Sequence, residues 1–436
     1  MSGRASNDRL WIHGGRVVDP SQGLDGPSQV IVEDGRIAAL GPGLEPPEDA
    51  RSIDATGLVV APGFIDLHVH FREPGGEHKE TIASGARAAV AGGFTTVWTM
   101  PNTDPPIDDP AAVGFVKAAG EAAGGARVMP IGAASIGMKG EQMTEIGGLV
   151  AAGAVAVSDD GAPVGHAGLM RRLLEYTQSF GIPVVQHSEV VELARGGVMN
   201  EGSIATALGL RGIPNAAEAA MIARDALLSQ LTGGHLHVCH VSARESVEQL
   251  RLARDKGLRV TSEVTPHHLI LTDELVRGYN TEAKVNPPLR TARDVEAVRQ
   301  ALIDGVIDVI ATDHAPHHYE EKEREFDDAP FGINGLETAF GLCMKALVEP
   351  GHMSLGQLID RMSCAPARIM GLEGGTLRPG TPADVVFLDP DEVWTVEPQG
   401  FLSLSQNTPV AGWKLPGRIR RTLVGGRTRH EVEEDR

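Results

Sequence analysis

Two hydrophobic patterns divide the chain. At both ends, short β-prone runs are separated by two-residue glycine turns: WIHGGRVVD around Gly14-Gly15, VIVEDGRIAAL around Asp34-Gly35, and RRTLVGGRTRHEV around Gly425-Gly426. Such turns between apolar runs predict hairpins, because the matching turn types need positive φ at their central residues. A lone hairpin is marginal in water, so the two ends are expected to share one small sheet.

Between about residues 60 and 370 the period changes. β-prone runs at 64–70, 95–101, 127–133, 154–159, 183–187, 235–240, 259–264 and 307–312 alternate with helical stretches such as 216–231 and 293–303. Strands alternating with helices imply a parallel sheet, and eight repeats predict an α/β fold, a closed (β/α)8 TIM-like barrel. The expected organisation is a barrel over 60–370, with 1–59 and 371–436 forming a small β-sandwich domain from both termini. The acidic run EEKEREFDD (320–328) reads as a solvated loop, and 318–330 is either a lid or a passive surface loop.

Composition narrows the picture. With 436 residues, 42% hydrophobic and 22% charged, the chain can bury a large core, which excludes disorder and fibres. A formal charge of −19 argues against a nucleic-acid partner. An anionic small molecule remains compatible, because surface charge is screened beyond roughly 8 Å and a cationic pocket can dominate locally. Cys239, Cys343 and Cys364 are far apart without a CxxC, which argues against a disulfide framework or a zinc knuckle. The first residues carry no apolar signal region, and the weakly apolar run 146–157 is too short and glycine-rich to span a bilayer. The expectation is a cytoplasmic protein with no membrane partner.

The chemistry lies at the strand ends. His68 and His70 close the first barrel run, Asp160 the fourth, His187 the fifth, His240 the sixth and Asp313 the eighth. Barrel enzymes work at the C-terminal ends of their strands, so these six side chains are expected to converge on one mouth. Side chains alternate along a strand, so His68 and His70 point the same way and can share an ion, while Leu67 and Val69 should face away. Imidazole and carboxylate ligands favour Zn²⁺, with Co²⁺ or Mn²⁺ as alternatives. A divalent ion lowers the pKa of bound water from ~15.7 to about 7 and polarises a carbonyl, both useful against an unreactive amide.

At DLHVHFREPG (66–75) the chain resembles the cyclic amidohydrolases, and within them the dihydroorotase family. The resemblance extends in order through MPNT (100–103), SDDG (158–161), QHSE (186–189), HVCHVS (237–242), EVTPHH (263–268), KVNPPLR (284–290), IATDHAPH (310–317), APFGINGLET (329–338) and GTLRPGTPADVVFLD (375–389). It implies reversible cyclisation of N-carbamoyl-L-aspartate to L-dihydroorotate, as in pyrimidine synthesis, through attack of metal-bound hydroxide on the ring amide. It also implies that His68, His70, Asp160, His187, His240 and Asp313 hold one or two Zn²⁺, with Asp313 as general acid/base. Arg72, Asn102 and His317 would contact the substrate carboxylate or ring, and Asn286 with the backbone at Phe331-Gly332 would read the ring amides. His70 would contribute to substrate binding as well as to the metal.

Many related enzymes, dihydropyrimidinases and allantoinases among them, bridge two metals with a carboxylated lysine on the fourth strand. Residues 147–161 contain no lysine, so a carboxylate must serve, and SDDG offers two. Neighbouring strand residues face opposite ways, so at most one points inward; the resemblance selects Asp160, bridging two ions or binding one. After HSE, where relatives often carry an acidic residue, this chain has Val190. Rival expectations are another cyclic-amide hydrolase, or an inactive scaffold for aspartate transcarbamoylase. The expected partners are the small-molecule substrate, further copies in a homo-oligomer, and aspartate transcarbamoylase.

Overall fold

The computed structural model describes residues 9–432, so the first eight and last four residues of the expected flanking segments lie outside the described residues. Eight short strands form its centre. They are β1 (Phe64–Val69), β2 (Phe94–Thr99), β3 (Arg127–Pro130, continued by Gly132–Ala133), β4 (Val157–Ser158), β5 (Val184–Gln186), β6 (Leu236–Val238), β7 (Val260–Val264) and β8 (Val309–Ile310). Each pairs in parallel with the next. The ring closes where Val69 bridges His314 and the His70 amide donates to the His314 carbonyl at 2.9 Å.

Helices Ile82–Ala91, Pro110–Ala123, Ile146–Ala152, Ala167–Tyr176, Asn215–Thr232, Arg244–Asp255 and Ala292–Ile303 return the chain between successive strands, as parallel pairing requires. Their starts are chemically marked. Thr81 and Thr291 form capping boxes with Ser84 and Asp294, and Asp109 caps a helix that opens on Pro110, satisfying amides that have no partner inside the helix.

Two further sheets pack face to face beside the barrel. One orders Arg36–Gly41, Gln29–Glu33, Leu10–His13 and Arg51–Asp54. The other orders Arg427–Glu431, Lys414–Val424, Val385–Thr395, Val59–Pro62, Arg16–Asp19 and Leu24–Pro27, so the two ends of the chain share it. Strand alternation explains how this shared sheet serves two cores. Val17, Val60, Val385 and Phe387 pack into the sandwich with Leu10, Ile12, Val30 and Val32. Their neighbours Val18, Val59, Ala61, Val386 and Leu388 pack into the barrel's outer core.

Three expectations change in detail. Asp34-Gly35 and Gly425-Gly426 are two-residue hairpin turns with positive φ throughout, but Gly14-Gly15 is not a hairpin. Leu10–His13 and Arg16–Asp19 lie in different sheets, and the glycine pair carries the chain from one to the other. Gly14 has φ +80°, and a Cβ on Gly15 would stand 2.9 Å from Ala55 Cβ. Leu67 does not face away with Val69. Val69 joins the outer core, whereas Leu67 packs with Trp98, Met100, Val185, Cys239 and Val309. A register shift between Asp66 and Val69 lets Leu67 and the histidines share the interior. The acidic run is not simply solvated either, because Lys322 and Phe326 within it are buried.

Candidate functional site

The strand ends bring six separated side chains into contact. His68 Nε2 lies 3.3 Å from His70 Nε2 and 3.4 Å from both Asp160 Oδ2 and Asp313 Oδ1. His70 Nε2 lies 3.1 Å from Asp313 Oδ1. On the other side of Asp160, its Oδ1 is 3.6 Å from His187 Nδ1 and from His240 Nε2, which are 3.0 Å apart. The preceding carboxylate, Asp159, points elsewhere and accepts from the Ser135 amide at 2.9 Å. All six converging side chains are buried.

Neighbours fix which ring nitrogens face inward. His68 donates its Nδ1–H to Glu263 Oε1 at 2.7 Å, and His70 donates its Nδ1–H to Asn102 Oδ1 at 2.8 Å. Both Nε2 lone pairs therefore point at the cluster. Glu263 also accepts from His237 Nε2 at 3.1 Å. Burial raises the Glu263 pKa, but His68 and His237 outweigh it and bring it down to about 2. Burial likewise opposes charge on Asp160 and Asp313. The imidazoles of His68 and His187 hold Asp160, and those of His68 and His70 hold Asp313, well below the usual carboxylate range.

This donor set fits a divalent cation. Asp160 Oδ1 is buried without a hydrogen-bond partner although two imidazoles flank it. Converging lone pairs of this kind need a shared positive charge. His68, Asp160 and His240 bring one ligand atom each within 4.8 Å of one another, as do His68, His70 and Asp313.

Above the cluster opens a cavity of about 340 Å³ lined by His70, Arg72, Asn102, Asp160, His187, His240, Asn286, Asp313, His317, Phe331 and Gly332 among others. Every residue expected at the site lines it except His68, which lies beneath. Arg72 donates to the Pro316 carbonyl at 3.2 Å and faces His317 Nε2 at 3.3 Å. Burial lowers its pKa to about 10, so it stays charged at neutral pH. Asn286 Nδ2 donates to Glu189 at 3.1 Å, while its Oδ1 is buried and unpartnered. Val190, beside Glu189, uses its amide to reach the Ala217 carbonyl at 2.8 Å, a contact any residue could make. Glu263 was not singled out from the sequence, although it stands inside EVTPHH. A carboxylate near the end of β7 was the available signal, since metal-binding histidines need an acceptor for their other nitrogen.

Known proteins resemble this chain over nearly its whole length. The dihydro-orotase-like family model matches residues 57–246. A dihydroorotase of Anaeromyxobacter dehalogenans (strain 2CP-1 / ATCC BAA-258) is 53% identical over 430 residues, covering 98% of this chain and 99% of its own. One of Geobacter metallireducens is 51% identical over 418 residues, covering 96% and 98%. Among solved structures, the L-hydantoinase (dihydropyrimidinase) from Arthrobacter aurescens superposes with a TM-score of 0.87 at 27% identity, covering 98% of this chain and 96% of its own. The dihydropyrimidinase from Brevibacillus agri NCHU1002 does so at 0.82 and 23%, covering 96% and 94%, and shows the fold alone.

The barrel and sandwich shared with the L-hydantoinase, together with the curated relatives, place the chain among the cyclic amide hydrolases of the amidohydrolase superfamily. Within that class, the chain belongs to the dihydroorotase family.

Proposed function

We propose that this chain interconverts N-carbamoyl-L-aspartate and L-dihydroorotate, losing water on ring closure. The observation that carries the reading is a half-buried, charged Arg72 opening into the cavity that lies over the six-residue donor cluster. A carboxylate-bearing cyclic amide needs both features, and a neutral ring needs only the second. His68, His70, Asp160, His187, His240 and Asp313 would hold one or two Zn²⁺, which when bound polarises the amide carbonyl and makes water acidic enough to attack it.

The remaining work falls to side chains. Asp313, ionised because the imidazoles around it favour its charge, takes the proton from the attacking water and passes it to the leaving ring nitrogen. In closure it runs in reverse. Arg72 grips the substrate carboxylate through its planar fork. Asn102 anchors His70 with its oxygen and keeps its amide for the same carboxylate, with His317 beside them. The unpartnered Asn286 Oδ1 is an acceptor for a ring N–H, and the backbone at Phe331 and Gly332 reads the rest of the ring edge.

Purified protein assayed on dihydroorotate, dihydrouracil and allantoin tests the reading. Turnover of dihydroorotate that is lost on chelation and restored by Zn²⁺ is expected, and turnover only of the other two would overturn it. The same reading takes 60–370 as the catalytic unit, supported by both ends of the chain. It places the enzyme in the cytoplasm as a homo-oligomer with aspartate transcarbamoylase as partner. Gel filtration alone and with that transcarbamoylase checks both associations.

A further inference from the structure

We infer that Asn407 is a positioning residue that fixes the substrate-recognition rim, an inference resting on the function proposed above. The rim is built from two segments, Ala315–His317 and Phe331–Gly332, that run side by side beyond the barrel. His314 bridges Ile333 in parallel, and the Ala315 amide donates to the Ile333 carbonyl at 3.0 Å. Past that pair no further backbone ladder joins them, yet His317, Phe331 and Gly332 all line the cavity. The join is made by a side chain from the C-terminal part of the chain, 94 positions after Asp313 (407 − 313).

The Asn407 amide makes three of its four possible hydrogen bonds here. Its Oδ1 accepts from the His317 backbone N–H at 3.0 Å, and its Nδ2 donates to the Ala315 and Gly332 carbonyls, both at 3.1 Å. One donor and two acceptors around it dictate the amide's orientation, and no other side chain of this length supplies that combination. Its own carbonyl accepts from the Asn334 amide at 2.8 Å, which ties the backbone to the same segment. Asn407 is buried, so removing its side chain strands the His317 N–H and the Ala315 carbonyl and leaves the Gly332 carbonyl with one side-chain donor fewer.

A second side chain donates to the Gly332 carbonyl. Lys322, buried in the acidic segment, donates to the carbonyls of Lys284, Pro330 and Gly332 at 3.3, 3.1 and 3.1 Å. The Gly332 carbonyl is thus clasped by two side chains. Gly332 itself admits no Cβ, which would stand 2.6 Å from the Ala315 carbonyl oxygen and 2.7 Å from His317 Cδ2. His317 Nε2 and the Phe331 carbonyl, 2.8 Å apart, are held in register by this arrangement. None of these contacts touches the six-residue cluster, so loosening them should impair recognition and leave the chemical step.

The test compares the parent with Asn407→Ala and Asn407→Asp. The aspartate variant keeps the acceptor for His317 N–H and loses both donors. Kinetics are measured with dihydroorotate, together with bound metal. We expect KM to rise tenfold or more in both variants, kcat to change less than threefold, and metal content to hold. An unchanged KM, a fall in kcat without a rise in KM, or metal loss overturns the inference. Failure of both variants to fold also overturns it, by assigning Asn407 to folding alone. A parent that does not turn over dihydroorotate sinks the functional reading, and this inference with it. A competent parent with variants of unchanged KM sinks this inference only.

Discussion

His240 and Asp313 leave their strands with φ of 32° and 47°, backbone angles that side chains other than glycine seldom adopt. Their neighbours hold them there. The Asp66 carboxylate accepts from the Thr312 amide at 3.0 Å and its hydroxyl at 2.6 Å, bracing the turn just before Asp313. Replacing Asp313 by alanine should lower turnover roughly 10³-fold with unchanged circular dichroism, the size expected for a general acid/base. Near-normal turnover would remove Asp313 from that role. Arg72→Met should raise KM for dihydroorotate about 30-fold, equivalent to losing roughly 2 kcal/mol of charge-assisted hydrogen bonding. An unchanged KM would show that the carboxylate is held elsewhere. The imidazoles and carboxylates of the cluster were legible because strand ends and a period of two place them. Glu263 and Asn407 were not legible as contacts. One acts through another side chain, and the other bonds backbone groups that have no sequence signature.

Helices and strands of the barrel follow their periods closely; the stretch expected over 216–231 is the helix Asn215–Thr232. What periodicity conceals is polarity on the inward face of that helix, where Glu218 and Asp225 are buried. Asp225 accepts from Gln186 Nε2 at 3.0 Å and Arg224 Nε at 2.8 Å, coupling the helix to the residue before His187. Burial nevertheless raises its pKa to about 6. A carboxyl raised on folding stabilises the protein fully below its unfolded pKa and loses that contribution as pH rises through the folded value. Relative to Asp225→Asn, the parent should therefore lose roughly 3 kcal/mol as pH rises from about 3 to about 7, from about two pKa units. Urea unfolding of both proteins across that range measures it, and parallel pH profiles would refute the assignment. Turn composition was the weaker guide at this scale. Gly14-Gly15 and Gly425-Gly426 are the same dipeptide, yet only the second closes a hairpin. What separates them is which sheet receives the next strand, a long-range matter.

For the molecule as a whole, the sheet shared by both ends is covered on each face, by the sandwich core and by the barrel. Its two layers should not melt separately. Phe387, buried between the sheets with Arg421 over its ring at 5.6 Å, probes this. Phe387→Ala should cost about 3–5 kcal/mol and lower one calorimetric transition. Two resolved transitions would mean that sandwich and barrel are independent. The eightfold count and the kinship of the two ends made this architecture readable, as did the Asp34-Gly35 hairpin of the four-stranded sheet, whereas the addition of Leu10–His13 and Arg51–Asp54 to that hairpin was hidden because they join it from distant stretches of the first sixty residues.

Interleaving the ends also constrains the order of events during synthesis. Val59–Pro62 finds its antiparallel neighbour only in Val385–Thr395, which in turn awaits Lys414–Val424. A ribosome therefore displays one bare strand margin for more than three hundred codons before its cover is translated. Exposed margins of that kind invite pairing with other nascent chains. Shielding that margin until Val385–Thr395 emerges should therefore raise the yield of correctly folded chain.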